Sequence, residues 1–131
     1  MTFPRTLARA GLFSLLVMGC RESFSPDRVV AGAVTIDPPS EYLRWWLDTE
    51  RCSGITGAFG RIQWYVVPDA PYFTYRGERY DGYWWETHDI VLAGEYLSDS
   101  GTVRHEMLHD LLNSGEHPVQ YFLDRCGDVV R

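Results

Sequence analysis

Residues Arg104 to Pro118 read RHEMLHDLLNSGEHP and hold three of the chain's four histidines. His105 and His109 are four positions apart, so on a helix their side chains stack one turn apart on one face. Two imidazoles in that relation can share one zinc ion. Glu106 lies beside the first and too far round the helix to complete the same ligand pair, so it is free to face a water on the metal. Each part has a task. Zinc lowers the pKa of its water to about 7 and polarises a carbonyl. Glu106, as general base, takes the proton from that water and passes it to a leaving amine.

A catalytic zinc takes three protein ligands and keeps one position open. The segment NSGEHP offers the third: the helix stops, the chain turns, and His117 comes back to the metal. Glu116 is the alternative, and the diverging directions of neighbouring side chains leave room for one of the two. Met107, Leu108, Leu111 and Leu112 occupy the remaining faces and are expected to bury the helix against a sheet and a first helix. His88 reads as a surface histidine outside the metal set.

The helix must be positioned by its surroundings. PPSEYLRWWLDTERCSG predicts a first helix capped by Ser40, with Glu41 in its first turn, an apolar stripe of Tyr42, Leu43, Trp46 and Leu47, and a stop at Gly54. GRIQWYVVPD predicts a strand, and APYFTYRGERYDGYWWETHDIVLAG a hairpin or two short strands followed by a strand at HDIVLA. Seven aromatic residues fall between Tyr72 and Trp85. They read as cross-strand pairs closing a small core, with a ring-lined groove as the alternative and no tyrosine singled out as a transition-state donor. YLSDSGTVRHEMLHDLLNSG predicts the second helix, started by Ser98, Asp99 or Ser100 and stopped by Asn113 and Gly115; HPVQYFLDRCG predicts a short third. The class is therefore α+β: a small mixed or antiparallel sheet packed against an N-terminal helix and the histidine-bearing helix, with a short C-terminal helix.

The 131 residues make one domain, 39–131, preceded by segments of other kinds. Residues 1–19 carry Arg5 and Arg9, no acid, and an apolar run too short to span a bilayer, which is the pattern of a secretory signal peptide. LVMGC resembles the lipobox of bacterial lipoproteins, although Met18 departs from its usual residues. The resemblance implies cleavage before Cys20 and lipid on its sulfur, with ordinary cleavage as the alternative. Residues 20–38 then form a lipidated tether, with a short strand at AVTI. Arg21 stands where an aspartate favours inner-membrane retention in some such lipoproteins, so the resemblance points outward, to an extracytoplasmic, lipid-anchored chain in the bacterial cell envelope.

Without residues 1–19 the chain has 10 arginines, no lysine and 18 acids, a net charge of −8. That balance excludes a nucleic-acid partner, which needs a basic face. A monomer is expected. Cys52 and Cys126 remain once Cys20 is assigned to lipid, and in an exported chain they are expected to pair; two free buried thiols are the alternative.

HEMLHDLLNSGEHPVQYF, with the strand and aromatic residues before it, resembles the zincin metallopeptidases over residues 85–122. In that superfamily an edge strand binding extended peptide precedes the active helix, and HDIVLA matches its position. The metzincin pattern fails, since Leu112 and Gly115 stand where glycine and a third histidine belong. Thermolysin-like enzymes take a glutamate from a distant downstream helix, and only 22 residues follow His109. The compressed helix–loop–histidine order is more similar to minimal gluzincin or SprT-like proteins. The resemblance implies peptide-bond hydrolysis on a peptide or protein substrate, with zinc on His105, His109 and His117 and Glu106 as base. The alternative is an envelope lipoprotein that binds zinc or peptide without cutting.

Overall fold

The computed structural model describes residues 23–131. The expected signal peptide and the lipid site at Cys20 lie outside them. Two α-helices and six strands follow in the order β1 (Val34–Ile36), α1 (Glu41–Ser53), β2 (Gln63–Val67), β3 (Phe73–Tyr75), β4 (Glu78–Tyr80), β5 (Gly82–Trp85), β6 (Asp89–Ala93) and α2 (Ser100–Leu112). A short π-helical segment, Gln120–Arg125, takes the place of the expected third helix. The class is α+β, as the sequence predicts.

Four strands form a mixed sheet in the order β1-β2-β6-β5. β2 runs parallel to β6, with Trp64 opposite Ile90 and Val66 opposite Leu92. β1 and β5 are antiparallel to their neighbours. β3 and β4 make a separate hairpin. Strand β6 is buried at all five positions because both faces of the sheet are covered, which is what an unbroken apolar run such as IVLA allows. On one face Trp64, Trp84, Ile90 and Leu92 meet Tyr42, Trp45 and Trp46 of α1 and Val103, Met107 and Leu111 of α2. On the other, Tyr65, Val91 and Ala93 meet Phe73 of the hairpin and Val30 and Ala33 from the N-terminal segment.

Several expectations need correction. HDIVLA holds a central strand rather than an edge one. The edge beside α2 is β5, because the β5–β6 hairpin folds GYWW onto the outer side of β6. His88 lies in the hairpin turn, with φ 63°. Ser40 does not cap α1: its own backbone is helical, and the Tyr42 N–H bonds the Pro39 carbonyl at 3.0 Å instead. The buried face of α1 is Tyr42, Trp45, Trp46, Thr49 and Ser53, while Leu43 and Leu47 are about half exposed at 51% and 48%. The stripe read from the sequence is rotated because Trp45, as the larger ring, takes the inward position. The segment read as tether enters the fold from Pro26, which is buried, and Val34–Ile36 pairs with β2.

Cys52 and Cys126 form a disulfide joining the last turn of α1 to the end of the π-helical segment. No helix among the described residues is long and apolar enough to cross a membrane.

Candidate metal centre

Helix α2 starts where Asp99 accepts the Thr102 N–H at 2.7 Å and stops at Asn113, which is left-handed at φ 48°. Its first turn runs against the end of the described chain: a Cβ on Gly101 would stand 2.0 Å from the Arg131 carbonyl oxygen. The helix thus lies wedged between the sheet and the C-terminal segment, presenting His105 and His109 one turn apart. After Asn113 the chain reverses and brings His117 back to them.

One ring nitrogen from each of His105, His109 and His117 lies within 4.8 Å of the other two. In a tetrahedral zinc site of ordinary bond length the nitrogens stand ~3.3 Å apart, so a small closure suffices. The tautomers suit ligation. His109 Nδ1 is 2.8 Å from the Ser114 carbonyl, to which it donates, leaving the Nε2 lone pair free. The His105 ring bonds the Val130 backbone, and its Nε2 turns to His117 Nε2 at 3.0 Å. Burial pushes the His109 pKa down to about 4, and burial, with His117 alongside, lowers that of His105. Both are therefore neutral near pH 7, the form a metal requires. Phe122 backs all three rings at centroid distances of 4.9, 4.8 and 4.7 Å, closing the apolar side. Three histidines here could hold a metal ion. Glu116 does not join them: it is exposed, and its N–H bonds the Ser114 hydroxyl.

The three histidines open on a cleft of about 160 Å³ shared with Glu106, Gly82, Tyr80, Tyr83 and Trp84. Its walls are helix α2 and the edge strand β5. Burial alone raises the Glu106 pKa to about 8. Gly82 faces this carboxylate so closely that a Cβ there would stand 3.0 Å from Glu106 Cγ and Oε1. Of the aromatic residues between Tyr72 and Trp85, Phe73 and Trp84 enter the core as expected, while Tyr80 and Tyr83 also reach the cleft wall. Burial raises the Tyr83 pKa.

Residues the sequence reading passed over support this arrangement. Asp110, fully buried, accepts from Arg61 Nε at 2.9 Å, from Trp84 Nε1 at 2.8 Å and, at 2.8 Å, from His88 Nδ1. Arg61 Nη2 also donates to the Asp110 backbone carbonyl at 2.9 Å. His88 is thus a partner of this acid, held apart from the three grouped histidines. The legible signal was an acid directly after the second histidine, on the side of the helix where Met107 and Leu111 enter the core. Compared with family models, curated proteins and solved structures, the chain finds no match in any of the three.

Proposed function

We propose that this protein is a zinc-dependent hydrolase of peptide bonds, exported and held by lipid at the bacterial cell envelope, acting as a monomer. The observation that carries the proposal is the convergence of His105, His109 and His117 nitrogens at the floor of a cleft whose wall contains Glu106. Three imidazole nitrogens suit zinc, and other divalent ions as well. When bound, the ion supplies a Lewis acid and lowers the pKa of its water.

The remaining work belongs to the chain. Glu106 is buried beside the ligands, where a bound cation would lower its raised pKa toward the range of an effective general base. It takes a proton from the attacking water and returns it to the departing amine. Ser114 and Val130 hold two of the ligand rings by their backbones, and Phe122 keeps water from behind them. Strand β5 pairs on one side only and runs along the cleft, so its free edge can take an extended peptide as an added strand. The disulfide supports an oxidising compartment, in line with export.

The test is metal analysis of the purified protein, followed by incubation of the zinc-loaded form with a mixed peptide library. About one zinc per chain, with cleavage abolished in Glu106→Gln while zinc is retained, is expected. Absence of bound zinc overturns the proposal. A protein that holds zinc and cleaves nothing is the non-catalytic binding lipoprotein instead.

A further inference from the structure

The carboxylate of Asp110 has no surface, yet it receives hydrogen bonds from three separate parts of the chain: the turn before β2 through Arg61, the edge strand through Trp84, and the β5–β6 turn through His88. Two observations say that this is more than filling of polar need. Among the described residues the buried indole N–H groups of Trp64 and Trp85 find no partner, so this fold does not satisfy every indole. His88 holds a left-handed backbone, uncommon for a residue with a side chain, and its ring reaches Asp110 from that position.

The Trp84 ring that Asp110 grips lies nearly parallel to His109, at 18° and 6.3 Å between centroids, and forms part of the cleft wall. We propose that Asp110 is a positioning residue: gripping the Trp84 indole and the His88 turn, it fixes edge strand β5 against helix α2 and so sets the His109 ring and the width of the cleft. The proposal rests on the three histidines being a metal site. Asp110 itself touches neither the ion nor the substrate. It acts one residue after His109 in sequence but through a side chain twenty-six positions away, which fastens the helix to the strand at the level of the ligand.

The test is cobalt(II) titration of the full chain, reading the visible d–d spectrum and the dissociation constant, with melting temperature measured alongside. Asp110→Asn and Trp84→Phe are compared singly and together. Trp84→Phe keeps a ring over His109 and loses the N–H, so it remains informative where Asp110→Asn folds poorly. Each single change is expected to weaken cobalt binding about 10-fold, the low end for loss of a supporting partner of a ligand, and to shift the d–d band. Because one residue works through the other, the double variant is expected to be little weaker than either single one. Single variants that lower the melting temperature with cobalt affinity and spectrum unchanged overturn the proposal, as do losses that multiply in the double variant. Wild-type protein that takes up no cobalt or zinc overturns the metal site and this inference with it; uptake with indifferent variants overturns this inference alone.

Discussion

His105 Nε2 stands 3.0 Å from His117 Nε2. Two imidazole nitrogens meeting this closely share one proton at most, and a nitrogen of His109 lies within 4.8 Å of both. A cation satisfies all three lone pairs together, which a proton cannot. His117→Ala is therefore expected to weaken zinc binding beyond the ~10–100-fold that follows loss of a mere supporting partner. Glu116→Ala is expected to leave zinc affinity within about twofold, because its side chain lies outside the group. Competition with a chromogenic chelator reads both. An equal loss from Glu116→Ala would return that residue to the ligand set.

Gly82 gives the second prediction. A methyl at this position would press on Glu106 Cγ and Oε1 at 3.0 Å and on Leu92 Cδ2 at 3.2 Å. Leu92 is fixed in the core, so the glutamate must yield. Displacing a reacting group by about 1 Å costs on the order of 100-fold in rate. Gly82→Ala is expected to lower kcat by that order with zinc content unchanged, since the three atoms nearest the methyl belong to Glu106 and Leu92 rather than to a histidine. Steady-state kinetics with a cleaved peptide, together with metal analysis, checks this. An unaltered kcat would mean that Glu106 acts from another position.

Third, the stability of the metal-free protein depends on pH through buried groups of opposite sense, the histidines His105 and His109 on one side and Glu106 on the other. His109 has a folded pKa of about 4 against 6.5. The unfolded chain therefore binds the extra proton between these values, and this group makes stability rise with pH up to about 6.5. Glu106 has a folded pKa of about 8 against 4.5. There the folded chain holds the extra proton, and stability falls as pH rises from 4.5 to 8. Below about 6.5 the Glu106 slope is opposed by that of His109 and by the same-signed contribution of His105. Above that only the Glu106 effect remains, a loss of about 2 kcal/mol by pH 8. Urea unfolding in the presence of a chelator is expected to show a fall over this interval, and Glu106→Gln to abolish it. A flat wild-type profile above pH 6.5 would show that water reaches the carboxylate.

The grouping of the three histidines was legible because it is local. His105, Glu106, His109 and the return of His117 all follow from a helix of known period and a stop at Asn113. The α+β class was legible from caps, breakers and alternation. What the sequence hid is pairwise. That β5 rather than β6 is the edge depends on which side of β2 the β5–β6 hairpin lands, and neither strand's composition records that. The inward turn of Trp45 in place of Leu43 and Leu47 is decided by packing in the core, where its ring stacks on Tyr42 at 5.2 Å. Asp110 gave only a faint sign, since its partners Arg61, Trp84 and His88 lie 22 to 49 positions away in sequence.

The disulfide gives the last prediction. Cys52 and Cys126 are 74 residues apart. In the chain-entropy account, a bridge closing a loop of this length stabilises the fold by about 4 kcal/mol. It also has a local consequence. Phe122, which backs the three histidines, lies one π-helical turn before Cys126, and Arg125 donates to the Ser53 carbonyl at 2.8 Å beside the bridge. The bridge thus ties the wall behind the ligands to α1. Replacing both cysteines by serine is expected to lower the urea midpoint by an amount matching several kcal/mol and to weaken zinc binding, because Phe122 and the segment carrying His117 lose a fixed neighbour. Adding zinc should restore part of the lost stability, since an ion that binds only the folded chain shifts the unfolding equilibrium by mass action. If the double variant loses stability but binds zinc as tightly as the parent, the packing of Phe122 with Leu108 and Val130 is sufficient to hold the wall, and the bridge serves the fold without serving the site.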